Sequence, residues 1–274
     1  MVQHTFPAMG TTIEVVVDGP TVDVSAAEAE FERLEAIMSR FRPESELSRL
    51  NREGSLDAST ELAEVVTLAL EARSRTRGLF DPTVHDALVA AGYDRTFEDL
   101  ADDGGAAGAR PCGGGVDVVG TRITLERGFR LDLGGIGKGF AAERVAELLG
   151  VSAPTLVSAG GDVAVRGLPA AGTWAVGIDE ELTLGLDRGG VATSGVDRRR
   201  WRRGGLDRHH IVDPRTGLPA ETDLVRVTAV ARDAVEAEVL AKELLLSGSV
   251  EAREADVPAV LVTADGRMLR TGGL

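Results

Sequence analysis

Arg130-Leu131-Asp132-Leu133-Gly134-Gly135-Ile136-Gly137-Lys138-Gly139-Phe140 sets an alternating apolar run, a glycine-rich turn and the first residues of a helix in immediate succession. Glycines carry no Cβ, so their backbone N–H groups can approach an anion closely and adopt positive φ. The helix that follows points its partly positive N-terminus at the same place, and Lys138 adds a formal charge. Asp132, at the end of the apolar run, is placed to accept a hydrogen bond from a ligand hydroxyl or ring nitrogen. The spacing is neither G-x-G-x-x-G nor that of a Walker A loop. Taken alone, the segment reads equally well as a tight strand-to-helix turn with packing glycines and a solvated lysine.

Working outward, Phe129 to Leu133 is expected to pair with Thr121 to Leu125 around a turn at Arg127-Gly128. A helix should run from Gly139 to Leu149, with strands near Leu156 to Ser158 and Val163 to Val165. Further on, Leu224 to Val230 alternates as a strand, Ala234 to Leu246 has helical periodicity, and Ala259 to Thr263 is a late strand. Upstream, Thr12 to Val17 reads as a strand. Val22 to Met38 reads as a helix with Ser25 near its start and Ala27, Phe31, Leu34 and Met38 on one face. Thr60 to Arg75 is a second helix, with Leu62, Val65, Val66 and Ala69 on a face. Asp94 to Gly120 dissolves into Asp, Gly and Ala, the pattern of a flexible loop or short hairpin. The regular βαβ spacing of a Rossmann fold is missing. The expectation is a single compact α+β domain over residues 1–274, with a mixed, largely antiparallel sheet and flanking helices.

Composition narrows the function classes. The formal net charge of −14 would repel a polyphosphate backbone, which argues against general nucleic-acid binding. No apolar run approaches the ~20 residues of a membrane helix. Met1-Val2-Gln3-His4 has neither the basic segment nor the apolar stretch of a signal peptide, so a cytoplasmic protein is expected. The single cysteine, Cys112, leaves no internal disulfide or thiolate metal cluster. Of 30 basic residues only Lys138 and Lys242 are lysines. Arginine enrichment by codon bias accounts for most of this; the two retained lysines suit places that want a compact point charge.

Other segments present polar groups on rigid turns. His209-His210-Ile211-Val212-Asp213-Pro214-Arg215-Thr216-Gly217 couples an Asp-Pro turn to a histidine suited to proton transfer. The plainer alternative is that Asp213 caps the turn and pairs with Arg215 while His210 packs. Leu79-Phe80-Asp81-Pro82-Thr83-Val84 offers an aromatic ring and a carboxylate on a proline-fixed turn. Ser158-Ala159-Gly160-Gly161-Asp162 and Val191-Ala192-Thr193-Ser194-Gly195 fit hairpin or local polar turns. Phe41 could stack on an aromatic ligand or join the core. His4 and His85 have no metal-ligand partner in view and read as structural.

In order along the chain, these segments resemble the ApbE-type flavin transferases, the FAD:protein FMN transferases. The match runs through Ala8-Met9-Gly10-Thr11, Met38-Ser39-Arg40-Phe41, Ser45-Glu46-Leu47, Leu50-Asn51 and Gly78 to Val84. It continues through Asp132 to Phe140, Ala159 to Asp162, Thr193-Ser194-Gly195 and His210 to Gly217. No one motif is distinctive; their sequence is. The resemblance implies an α+β domain holding FAD in a cleft. FMN would pass from FAD to a Ser or Thr hydroxyl of a target flavoprotein, with release of AMP. It further implies FAD contacts at Met9, Phe41, Phe80, Asp81, Pro82, Asp132, Lys138, Thr193 and Ile211, with His210 as the proton-transfer residue.

The family's Mg²⁺ site is where the sequence departs. The resemblance implies a backbone carbonyl ligand at Gly135 and, in an Ala-Asp-Ala-Leu-x-Thr stretch, an Asp and a Thr one turn apart. Here the stretch reads Ala237-Glu238-Val239-Leu240-Ala241-Lys242. The acid, Glu238, is lengthened, and an ammonium has no lone pair with which to coordinate a cation. Glu238 and Lys242 then read either as an exposed i, i+4 ion pair worth ~0.5 kcal/mol, or as a site in which Lys242 takes the metal's place and joins Lys138 at the diphosphate. Three activities are open at this stage: a flavin transferase, an FAD-binding protein without transfer chemistry, and an FAD diphosphate hydrolase giving FMN and AMP.

Overall fold

The structure, a computed structural model, describes residues 1–19, 23–100, 105, 108–178 and 182–274. Its centre is an eight-stranded sheet in the spatial order Val2–Ala8, Thr11–Val17, Thr155–Ala159, Asp162–Arg166, Gly189–Gly195, Leu224–Ala231, Ala259–Thr263, Met268–Thr271. Every pairing in this sheet is antiparallel. Strands from both ends of the chain therefore share one sheet.

Among the described residues seven α-helices accompany it: α1 Ser25–Met38, α2 Glu46–Glu53, α3 Thr60–Arg75, α4 His85–Ala90, α5 Gly137–Gly150, α6 Ala234–Ser247 and α7 Ser249–Glu254. The expected start of the first helix at Val22 lies outside the described residues, as do 101–104 and 106–107 of the expected loop. Within that loop, Val116–Val119 is a strand. Helix starts follow local chemistry: Ser59 accepts the Leu62 N–H at 3.2 Å to open α3, and Asp233 accepts the Glu236 N–H at 2.7 Å to open α6. Helix α5 is buried through Phe140, Ala141, Ala142, Val145, Ala146 and Leu149, and lies on Thr155–Ala159 and Asp162–Arg166 beside α6. Phe31 and Leu34 of α1 are fully buried in the same core, each worth roughly 1.5–3 kcal/mol. Strand and helix come closest at Gly190, where a Cβ would collide with the backbone of Ala234. No helix among the described residues is long and apolar enough to cross a membrane.

One expected pairing does not form. Arg122–Leu125 pairs with Val116–Val119 and Ser55–Asp57, not with residues 129–133. The Phe129 to Leu133 run belongs to no strand. Asn51, from α2, supplies the missing partner: its Nδ2 donates to the Leu131 carbonyl at 2.8 Å and its Oδ1 accepts the Leu131 N–H at 2.7 Å. The Asp132 N–H donates to the Pro82 carbonyl at 2.8 Å. The alternation that suggested a strand is instead Leu131 and Leu133 buried in the core. This pinned segment delivers the glycine turn to the edge of a cleft.

Candidate functional site

A cavity of about 650 Å³ opens at the glycine turn, walled by the end of α1, the turn before α4, α6, the turn leading into Asp162 and the loops following Gly195 and His209. Its floor carries four charges. Lys138, in the first turn of α5, forms ion pairs with Asp162 and, at 2.9 Å, with Glu238 of α6. The second Glu238 oxygen accepts the Gly139 N–H at 3.1 Å. Burial disfavours a charged Lys138, but the two carboxylates more than offset it and hold its ammonium well above the usual range. Burial and the neighbouring Glu238 push Asp162 upward.

Lys242, one turn beyond Glu238, does not pair with it. Its Nζ donates to the Gly135 carbonyl at 3.1 Å and sits 5.5 Å from the centre of the Phe80 ring. The exposed i, i+4 pair, one of the two readings of Glu238 and Lys242, does not form: Glu238 is 3% exposed and committed to Lys138 and Gly139. Burial first, and then the charge of Lys138, lower the affinity of Lys242 for its proton. Lys138 is thus neutralised by its partners, whereas Lys242 makes one hydrogen bond, to an uncharged acceptor. A Cβ at Gly135 would strike the Lys242 ammonium, so this turn position needs glycine for lysine to approach.

An aromatic wall stands opposite. Arg40, just after α1, pairs through Nε with Asp132 at 2.6 Å, both being buried, and donates to the Tyr93 carbonyl at 2.8 Å. Its guanidinium lies 4.1 Å from the Phe41 ring centre and 4.7 Å from that of Tyr93. Asp132 also accepts the Gly134 N–H at 2.8 Å, so its carboxylate organises the turn as well as facing the cavity. Asp81 accepts from the Thr83 N–H and hydroxyl at 2.8 and 2.7 Å, closing the Asp-Pro turn beneath Phe80.

His210 lines the cavity next to Ile211. Its Nδ1 is buried without a hydrogen-bond partner among the described residues. Burial, with Arg199 and Lys242 nearby, pushes its pKa down to about 3, leaving a neutral imidazole with an unused nitrogen. Asp213 does pair with Arg215, at 2.8 Å, as the plainer sequence reading has it, but His210 is not thereby packed away.

The structure brings Met9, Phe41, Phe80, Asp81, Asp132 and Lys138 to one cavity wall or floor, with Thr193, His210, Ile211, Glu238, Lys242 and Gly135 completing it. Pro82 does not line it; its carbonyl ties down Asp132 from behind. Thr193 shares a 2.9 Å hydroxyl contact with Thr228. Several lining residues were given no ligand contact by the sequence reading, among them Arg40, Tyr93 and Arg199. Tyr93 is the only tyrosine in the chain, and Arg40 precedes Phe41, which were the available signals. Cys112, half-buried, has a thiol pushed up to about 11 by burial, consistent with an unreactive side chain.

The profile of the ApbE family matches residues 9–257. The chain belongs to the ApbE family. It is 30% identical over 242 residues to the FAD:protein FMN transferase of Salmonella typhimurium, covering 80% of this chain and 69% of that one. The corresponding transferase of Treponema pallidum is 29% identical over 296 residues, covering 93% and 82%. In three dimensions the chain superposes on the ApbE protein of Thermotoga maritima with a TM-score of 0.88 at 25% identity, over 98% of this chain and 96% of that one.

For an ApbE chain, the donor set at the glycine turn does not suit Mg²⁺. Among the described residues no three His, Cys, Asp or Glu side chains group as a metal site. The Gly135 carbonyl is taken by Lys242, and both Glu238 oxygens are occupied by Lys138 and Gly139. A cation here would face an ammonium with no lone pair to offer.

Proposed function

We propose that this protein is an FAD:protein FMN transferase acting as a single ApbE-like domain, moving FMN from FAD to a Ser or Thr hydroxyl of a target flavoprotein and releasing AMP. The observation that carries the reading is the unpaired Lys242 ammonium against the glycine turn, within the cavity that also holds His210. Phosphoryl transfer needs the nucleophile aligned, its proton accepted and the diphosphate charge met. The diphosphate would lie on the turn Gly134 to Lys138 at the N-terminus of α5, with Lys242 as the facing cation in place of Mg²⁺. Phe41 and Phe80 supply apolar rings, and Met9, Asp81, Asp132, Thr193 and Ile211 shape the remaining walls. Pro82 acts by holding Asp132. The hydroxyl oxygen attacks the phosphorus of the FMN half, the bond to the AMP phosphate oxygen breaks, and the hydroxyl proton passes to His210.

Lys242→Met keeps the length and removes the charge. It is expected to weaken FAD binding roughly tenfold, the scale of one charge-assisted hydrogen bond, while wild-type affinity is the same in EDTA and in Mg²⁺. Calorimetric titration of FAD reads both; an unchanged Kd in the variant, or loss of wild-type binding in EDTA, overturns the metal substitution. The reaction is tested by incubating protein, FAD and an apo-flavoprotein with an accessible Thr. AMP release with addition of one FMN mass to the acceptor supports transfer. FMN and AMP without an adduct shows hydrolysis, and bound flavin with neither product shows a holding protein.

A further inference from the structure

The cavity mouth continues into an arginine hairpin whose outward charges neither the core nor the ligand site uses. Arg200–Arg203 pairs antiparallel with Leu206–His209 around Gly204-Gly205. Between Asp197 and Arg208 six arginines accompany two aspartates, in a chain whose formal net charge is −14. One of those aspartates, Asp197, is held by Arg226 at 2.5 Å. Alternation along the first strand separates its two faces. Trp201 is turned inward, 8% exposed, with its Nε1 donating to the Ala91 carbonyl at 2.9 Å and its ring 5.4 Å from Tyr93. Arg200 and Arg202 are turned outward, their side chains 53% and 61% exposed, with exposed Asp207 at 3.4 and 3.9 Å as their acidic neighbour. Exposed pairs at such distances contribute ~0–1 kcal/mol, so the hairpin's stability does not explain these charges. Trp201 anchors the hairpin without them. At its base, Arg198 and Arg199 line the cavity itself.

We infer that the outward face of this hairpin, through Arg200 and Arg202, docks an acidic segment of the acceptor protein and brings its hydroxyl to the cavity mouth. This rests on the transferase reading above. A basic patch on an otherwise acidic molecule attracts an acidic partner to one place while the remaining surface repels it, which sets orientation as well as encounter rate. Arg198 and Arg199 make the patch continuous with the cavity, so a segment seated on it lies beside the reacting groups.

The test uses the full chain with FAD bound and two labelled peptides, each with one central Thr, flanked by Asp and Glu in one and by Asn and Gln in the other. Fluorescence anisotropy should show the acidic peptide binding roughly tenfold more tightly at low salt, the difference vanishing as the Debye length falls to ~3 Å near 1 M salt. Arg200→Glu with Arg202→Glu should abolish the preference while leaving the Kd for FAD unchanged, since neither residue lines the cavity. Equal binding of the two peptides, or an unaltered preference in the double variant, overturns the docking surface. Tighter binding of a short DNA duplex or of phosphatidylserine vesicles through the same arginines overturns its assignment to a protein partner. Acidic-peptide binding through the hairpin without FMN transfer would leave the docking surface standing and the transferase reading refuted.

Discussion

At the scale of single residues, His210 carries the chemical argument. A buried imidazole with one nitrogen unused and a pKa near 3 is a weak base in the free protein. The negative charges of a bound diphosphate favour its protonated form and raise that value. Because the base must be unprotonated to accept the hydroxyl proton, activity is lost below its pKa. The acidic limb of kcat, which reports the complex, is therefore expected at higher pH than that of kcat/KM, which reports the free enzyme. His210→Asn should cut transfer roughly 10²- to 10⁴-fold with FAD affinity retained, measured by AMP release and flavin titration. Parallel loss of affinity would instead make His210 a ligand-holding residue. The same histidine sets a stability trend. Its folded value lies below the ordinary 6.5, so the unfolded chain binds the extra proton. Its neutral form is fully accommodated above about pH 6.5, and stability is lost as pH falls from there toward 3. Denaturant midpoints of His210→Asn between pH 7 and 4 should decline less than those of the wild type. His210 and Lys242 were legible as residue types at chosen places in the sequence. That Lys242 bonds the Gly135 carbonyl rather than Glu238 was left undecided there, because helical spacing fits the i, i+4 pair as well as a lysine in the metal's place.

At the scale of elements, the site depends on how closely α5 and α6 approach. Gly139 is where they meet: an added Cβ would lie 2.8 Å from the Ala234 carbonyl and 3.0 Å from a Glu238 oxygen. Gly139→Ala gains ~1 kcal/mol of helix propensity but overpacks a contact against backbone, at a cost of ~1–3 kcal/mol. The second effect should win, with Glu238 displaced from Lys138. A lower urea midpoint and weaker FAD binding together are expected; a variant as stable as wild type would show that the two helices can part without consequence. Elements with strong periodicity were readable without the structure: Thr60–Arg75 follows from the face shared by Leu62, Val65, Val66 and Ala69. Short or edge elements were not. Val2–Ala8 and Met268–Thr271 sit at the two edges of the main sheet, and the arginine hairpin is dominated by charge, so none has a clear apolar pattern. The run at Phe129 to Leu133 misled for a different reason. Its alternation was real, but an asparagine side chain eighty residues away in sequence took the place of a strand.

At the scale of the whole molecule, the cavity gathers residues from Met9 to Lys242, so a ligand there touches segments that sequence separates widely. The order of motifs conveyed which segments meet, and the antiparallel sheet, shared by strands from both chain ends, is the frame that joins them. Binding a ligand across so many segments stabilises the folded state by mass action, since the unfolded chain does not assemble the site. At a free FAD concentration of 100 times Kd the gain is about 2.7 kcal/mol. With an unfolding entropy of about 2.1 cal/mol/K per residue, the 274-residue chain should melt about 5 °C higher. With Lys242 facing the diphosphate in place of a metal, as proposed above, the shift should persist in EDTA. In Lys242→Met at the same total FAD, a tenfold weaker Kd leaves about 1.4 kcal/mol, or roughly half the shift. Differential scanning calorimetry with and without EDTA reads all three values. A shift that appears only when Mg²⁺ is present would mean that the glycine turn meets its ligand through a metal after all, and would return Lys242 to the protein's own packing.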